Sequence, residues 1–187
     1  MFLPQVLGQV DRLGALVQKL VEQARAQSGD VPLKLERLEL ESVVAPIVRT
    51  FQQQAEAKHV RLTLETETNP RVDVDRDRIG QVVVNLVDNA LRYTPAEGSV
   101  TVKLSAEKDD CVISVADSGV GIPFKDLPHI FERFYVVDRS RAREVSGAGL
   151  GLAIVKHIID AHKGSIAVES RLGRGTKFVC RLPLAAS

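Results

Sequence analysis

The sequence predicts an α+β fold: a two-layer α/β sandwich with a mixed, largely antiparallel sheet, plus one N-terminal amphipathic helix. Three observations predict it. Apolar residues recur at three- and four-residue steps over four long segments, the period of a helix with one buried face. Between those segments they alternate at period two, in short runs bounded by turn residues. The later runs come as neighbouring pairs, 99–106 with 111–117 and 165–170 with 176–182, so hairpins outnumber helical crossovers and the helices gather on one face.

Each element follows from its residues. Over 5–28, Val6, Leu7, Val10, Leu13, Leu16, Val17, Leu20, Val21 and Ala24 form a wide apolar stripe. Ser28-Gly29-Asp30 ends that helix and Pro32 prevents its continuation. This break separates residues 1–30 from a globular remainder, 31–187. A short alternating stretch at Leu33, Leu35, Leu38 and Leu40 leads into a helix over 41–58, with Val44, Ile47, Val48, Phe51 and Ala55 on one face and Pro46 tolerated near its start. His59 opens a strand through Val60, Leu62 and Leu64, and Val72 and Val74 mark another. Asp75 or Asp77 caps a helix running to about residue 93, where Thr94-Pro95 interrupts. Lys108-Asp109-Asp110 turns the first hairpin. Residues 122–147, rich in Pro, Gly and charge, read as a long mobile loop with a short helical turn near Phe131, and a loop of that length is usually functional. Leu150 to Ala161 is a helix, and the last strand pair closes the domain.

Composition excludes several classes. At 187 residues the chain fits one domain plus an appendage; 44% hydrophobic residues without a tryptophan imply an aliphatic core. A net charge of +1 gives no strong pull toward nucleic acid or anionic membrane, and neither contact is expected of this fragment. No apolar run approaches the ~20 residues of a membrane span, and Met1-Phe-Leu-Pro lacks the basic start of a signal peptide. Cys111 and Cys180 match no metal or redox spacing and read as small core residues, which suits a cytoplasmic location. Membrane anchoring of a longer, full-length protein stays open.

Four segments carry chemistry. Asn85 and Asn89 fall one turn apart on a helix face with Arg92 beyond them, beside an apolar face. Amide oxygens suit magnesium, a hard cation that takes few protein ligands and the rest from phosphate and water. Two solvated amides are the plainer alternative. Asp117 ends an apolar strand ahead of Gly119 and Gly121; its carboxylate can accept an exocyclic amine while the glycines let backbone approach a base. An ordinary Asp-Ser-Gly turn has the same sequence. Gly147-Ala-Gly149-Leu-Gly151 opens a helix whose amides offer an anion site, although a flexible or tightly packed segment reads the same way. It matches neither the dinucleotide fingerprint nor a P-loop. Phe131 and Phe134 lie among Arg133, Arg139, Arg141 and Arg143, aromatics that can anchor a loop while arginines reach phosphate.

Taken jointly, Asn85-x-x-x-Asn89-Ala, Asp117-x-Gly-x-Gly-Ile122, Phe131-Glu-Arg-Phe-Tyr135, Gly147-x-Gly-Leu-Gly-Leu-Ala-Ile-Val155 and the closing Gly173-Arg-Gly175-Thr-Lys-Phe178 resemble the catalytic and ATP-binding domain of sensor histidine kinases. The match covers about residues 33–184. The resemblance implies the Bergerat ATP-binding fold of the gyrase, Hsp90, histidine kinase and MutL superfamily, with ATP and Mg²⁺ as cofactors. It implies that Asn89 ligates the metal, that Asn85 and Arg92 sit at the phosphates, and that Tyr93, Asp117, Gly119, Gly121 and Ile122 line the adenine site. Phe131, Gly147, Gly149, Leu150, Gly151, Leu152 and Thr176 are further nucleotide positions on the same ground. Arg133 and Arg139 are implied γ-phosphate contacts, with Arg143 a further candidate. Arg92 stands where the family usually has Lys, and Val136 where kinases often place Arg, so the choice of arginine stays open.

At the position of Asn85 the gyrase and Hsp90 branch carries a glutamate general base; an amide cannot do that work, which favours phosphoryl transfer over hydrolysis. Residues 5–28 resemble the second helix of the family's dimerisation hairpin. His59, His129, His157 and His162 lack the context of a phosphoacceptor, so the chain reads as a truncated kinase without self-phosphorylation. The implied partners are a response regulator receiver domain and, in the full-length protein, a second copy through the hairpin. An anti-sigma-type serine kinase and a non-catalytic nucleotide-dependent interaction module are the alternatives.

Overall fold

The computed structural model describes residues 32–69, 71–137 and 149–185. The chain divides into two compact units at Pro32–Leu33, and the second is described here by itself. The helix expected over 5–28 lies outside the described residues.

The elements in order are β1 (Leu35–Glu39), α1 (Glu41–Ala57), β2 (Arg61–Thr66), β3 (Arg71–Asp75), α2 (Arg76–Tyr93), β4 (Ser99–Glu107), β5 (Asp110–Asp117), a 3₁₀ turn (Phe124–Asp126), α3 (Gly151–Ala161), β6 (Ser165–Arg171) and β7 (Gly175–Pro183). Five strands form one sheet in the order β2-β4-β5-β7-β6. Only β2 and β4 run parallel; the other pairs are antiparallel. The mixed, largely antiparallel sheet expected from the hairpins is thus present. β1 and β3 pair antiparallel in a separate two-stranded sheet that the sequence reading did not anticipate.

The register explains the core. Val102, Val115 and Phe178 stand in one cross-strand row, and Leu104, Ile113 and Cys180 in the next. All six are buried, because alternation sends these positions to a single face. Val82, Val83, Leu86, Val87 and Leu91 of α2, Val44 and Val48 of α1, and Val155 and Ile159 of α3 belong to the same apolar cluster. Each fully buried leucine or isoleucine contributes about 1.5–3 kcal/mol by leaving water. Burial pushes the Cys111 thiol up to about 11 and the Cys180 thiol up to about 12, so both stay protonated and inert. No helix among the described residues is long and apolar enough to cross a membrane.

Two expectations are corrected. His59 does not open β2; it turns the chain with φ 54° before Arg61. Among the described residues of the long loop, the helical turn lies at Phe124–Asp126, not near Phe131. Around Phe131 the chain makes successive tight turns, with His129 N–H donating to Asp126 O at 2.9 Å and Glu132 N–H to His129 O at 2.8 Å. Prolines at 123 and 128 bracket the 3₁₀ turn and limit it.

The cap of α2 is Asp75, not Asp77. One carboxylate oxygen accepts Arg78 N–H at 3.1 Å and the other accepts Lys34 N–H at 3.0 Å, so one side chain starts the helix and pins the chain ahead of β1. The Asp75 N–H in turn donates to His162 Nε2 at 3.0 Å, while His162 Nδ1–H reaches Ile158 O at 2.8 Å. The buried imidazole therefore ties the end of α3 to the start of α2. Burial pushes the Asp75 carboxyl up, but the amides of Lys34 and Arg78 and the Arg78 charge outweigh it and hold it below the ordinary 3.8.

Asp75→Ala is expected to lower stability by about 1–2 kcal/mol, read by urea denaturation. Because the folded carboxyl binds its proton less readily than the unfolded one, its contribution is present above 3.8 and lost as pH falls through the lower folded value. The variant should lack that part of the acid limb; an unchanged acid limb would count against the capping role.

Candidate functional site

The α2 helix, β5 and the start of α3 bring the predicted residues together. Asn85 and Asn89 lie half-buried on α2, one turn apart. Asn85 Nδ2–H donates to Gln81 O at 2.8 Å, which fixes the amide and leaves Oδ1 free to point elsewhere. That oxygen lies 3.2 Å from where a Cβ on Gly151 would stand. The lack of a side chain at 151 is what lets the first turn of α3 approach the Asn85 oxygen. Asn89 has no hydrogen-bond partner among the described residues. The donor set, amide oxygens without a carboxylate cage, fits magnesium held largely by phosphate and water; no cluster of three or more His, Cys, Asp or Glu forms among the described residues.

Arg92 pairs with Asp88 at 2.9 Å, an i,i+4 contact worth a few tenths of a kcal/mol. Tyr93 ends the helix and is 43% exposed. Its carbonyl accepts Val120 N–H at 3.2 Å, and a Cβ on Gly119 would come within 2.4 Å of that oxygen. Gly119 is thus required by close approach of backbone to backbone. Lys58 Nζ–H donates to Leu91 O at 2.6 Å and Thr94 Oγ1–H to Ala90 O at 2.7 Å, fixing the helix end that carries Arg92 and Tyr93.

Asp117 sits at the last position of β5, between Val100 of β4 and Thr176 of β7. Its Oδ1 accepts two backbone donors, Gly119 N–H at 2.8 Å and Thr176 N–H at 3.2 Å. Oδ2 takes no partner among the described residues. One oxygen is held and the other is presented. Burial pushes the Asp117 carboxyl up, and the two amides offset part of that rise. Ile122 is half-buried and donates its N–H to Ser170 Oγ at 2.8 Å. Thr176 is buried, with its hydroxyl 2.9 Å from the same Ser170 oxygen.

The two phenylalanines divide. Phe131 meets Phe178 edge-on, ring centres 6.4 Å apart and planes at 75°, and anchors its segment to the core. Phe134 is 60% exposed, and its N–H donates to Gly149 O at 2.9 Å. Gly149 has φ 66° and a Cβ there would meet the Tyr135 carbonyl, so this glycine serves a turn and a close contact at once. Leu150 is buried and Leu152 packs on the core, so both act as supports of α3. Arg133 is exposed. Arg139, Arg141, Arg143 and Gly147 lie outside the described residues.

Sequence reasoning missed Ser170, Lys58 and the part-buried pair in which Tyr135 O–H donates to Asp126 Oδ1 at 2.6 Å. Only alternation along β6 hinted that Ser170 faces inward, and alternation does not reveal what it meets.

This fold and site define a nucleotide-binding ATPase domain. The chain belongs to the histidine kinase-, DNA gyrase B- and HSP90-like ATPases, whose family model matches residues 74–186. Within that family it is an ATP-binding catalytic domain of the histidine kinase type. It is 36% identical over 185 residues to the sensor histidine kinase WalK of Bacillus subtilis, covering 97% of this chain and 30% of that protein. The sensor protein SrrB of Staphylococcus aureus is 35% identical over 178 residues, again 95% of this chain and 30% of the relative. Among solved structures, full-length ShkA in complex with AMPPNP superposes with a TM-score of 0.83 at 30% identity, covering 95% of this chain and 37% of that one. The Acinetobacter baumannii histidine kinase AdeS gives 0.78 at 26% identity, covering 98% and 84%. The chain thus spans about 30% of the length of these curated relatives.

A carboxyl held above 3.8 takes up its proton at a higher pH than an ordinary aspartate. Nucleotide affinity is therefore expected to weaken on acidification from above the ordinary carboxylate range, followed by calorimetry across pH. Asp117→Asn should flatten that limb; an identical limb in the variant would remove Asp117 from the binding site.

Proposed function

We propose that this chain is the ATP- and magnesium-holding core of a sensor histidine kinase, delivering the γ-phosphoryl group to a histidine on a helical hairpin for onward transfer to a response regulator aspartate. The observation that carries the reading is the asymmetry of Asp117. Two amides fix Oδ1, and Oδ2 is left as an acceptor of the kind an exocyclic amine requires.

Asn85 supports transfer over hydrolysis. Its carbonyl oxygen faces the first turn of α3, and position 85 itself carries an amide rather than a carboxylate that could activate water. Asn89 would hold Mg²⁺ through its amide oxygen, and the bound ion would neutralise charge on the phosphates. Arg92 and Arg133 would bind phosphate oxygens. The acceptor imidazole nitrogen attacks phosphorus in line while the bond to the β-phosphate bridging oxygen breaks and ADP departs; positioning does most of the work. The relative ThkA has been solved in complex with its response regulator TrrA, at 27% identity and a TM-score of 0.76, which favours a receiver domain as partner.

Asn89→Ala is expected to erase the magnesium dependence of ATP binding; calorimetry with and without Mg²⁺ checks it, and retained dependence would move the metal elsewhere. Asp117→Asn should weaken ATP about 10- to 100-fold, the worth of one charge-assisted hydrogen bond of about 1.5–3 kcal/mol. Incubating the chain with labelled ATP, Mg²⁺ and a separately made phosphoacceptor hairpin from a related kinase should label the hairpin histidine. ATP binding without any transfer to such hairpins would favour a non-catalytic module.

A further inference from the structure

We propose that Ser170 is the specificity-positioning residue of the nucleotide site: it orients Asp117 for a 6-amino purine by fixing both backbone segments that hold the carboxylate. The inference rests on the assignment of Asp117 to adenine.

The geometry is a closed set of bonds around one hydroxyl. Ser170 Oγ–H donates to Gly175 O at 3.0 Å. The same oxygen accepts Ile122 N–H at 2.8 Å and lies 2.9 Å from Thr176 Oγ1. A serine hydroxyl has one hydrogen and two lone pairs. With its hydrogen on Gly175 O, the Thr176 hydroxyl must be the donor in the remaining contact, and Ser170 is then saturated.

The carbonyl of Gly175 and the N–H of Thr176 belong to one planar peptide unit. Ser170 holds its oxygen end, and Asp117 Oδ1 receives its N–H end at 3.2 Å. Rotation of that plane would move the donor off the carboxylate. Nothing else gives the plane much freedom: Gly175 has φ 95°, and a Cβ there would fall 1.9 Å from Asp117 O. On the other side, Ile122 N–H fixes the end of the segment whose Gly119 N–H is the second donor to Oδ1 at 2.8 Å. A Cβ on Gly121 would strike Arg171 O, so this segment lies directly on the end of β6. One hydroxyl therefore governs both donors, and through them the direction of Oδ2.

The hydroxyl count adds a second consequence. The Ser170 hydroxyl is engaged inside the cluster by Gly175, Ile122 and Thr176. What the Asp117 edge offers is an acceptor, which matches an amine and repels a keto oxygen.

The test measures Kd of the 187-residue chain for ATP, for purine riboside triphosphate (which lacks the 6-amino group) and for inosine triphosphate (which carries a keto oxygen there). Ser170→Ala should weaken ATP about fivefold to tenfold and purine riboside triphosphate by less than about twofold, as expected for a lost orienting hydrogen bond rather than lost fold. The ratio of ATP to inosine triphosphate affinity should fall by about the same fivefold to tenfold. Ser170→Thr, which keeps the hydroxyl, should restore native ratios. Equal losses for all three nucleotides, or native ratios in Ser170→Ala, would overturn the proposal. If Ser170→Ala does not fold, Ser170→Cys is read by the same ratios. Asp117→Asn separates the two levels. If it abolishes discrimination while Ser170→Ala keeps it, only the role of Ser170 fails; if Asp117→Asn itself keeps native discrimination, the adenine assignment falls and this inference with it.

Discussion

One carboxylate oxygen organises the site. Asp117 Oδ1 accepts from Gly119 and from Thr176, residues that come from opposite sides of the end of β5. Meeting both donors requires that the segment after β5 double back and that β7 lie in register beside it. Gly119 and Gly175 are glycines because that crossing leaves no room for a Cβ. A half-buried carboxylate with both oxygens unpaired would be costly; here amides meet that cost on one side, and Oδ2 takes no partner among the described residues.

A second constraint sets α2 against α3. Asp75, His162 and Lys34 form one chain of hydrogen bonds from before β1, through the start of α2, to the end of α3. This fixes α2 against α3 at one end. At the other, Asn85 and Gly151 meet closely enough that a methyl group would press on the amide oxygen. The two amides of α2 and the first turn of α3 are thereby held at a set separation, and Phe131 on Phe178 carries the preceding segment to the same sheet. Rigid elements supply the geometry, and the supporting contacts lie one layer behind the candidate site residues.

Much of this was legible in the sequence. The period of the apolar residues gave α1, α2 and α3 to within a residue or two, since a helix shows its buried face locally. The hairpins β4–β5 and β6–β7 were legible because their partners are neighbours in the chain. The pairing of β1 with β3 was not, because α1 and β2 intervene and short strands carry no mark of a distant partner. Choosing Asp75 over Asp77 as the cap also needed the fold: Arg78 N–H is a local donor, but Lys34 N–H is 41 positions away. Phe131 and Phe134 look equivalent as letters, and only the position of Phe178 makes one an anchor and leaves the other exposed.

By itself the sequence determined the elements, the face each buries and the residue types of the site, all set by local periodicity and by chemistry that one side chain carries alone. The tertiary structure decided which oxygen of Asp117 is held, which way the Asn85 amide points, and that Ser170 bonds to both segments flanking Asp117. These depend on hydrogen bonds between residues as far as 59 positions apart. Such bonds exist only once strand register is fixed, and register is a property of the packed core rather than of any one segment.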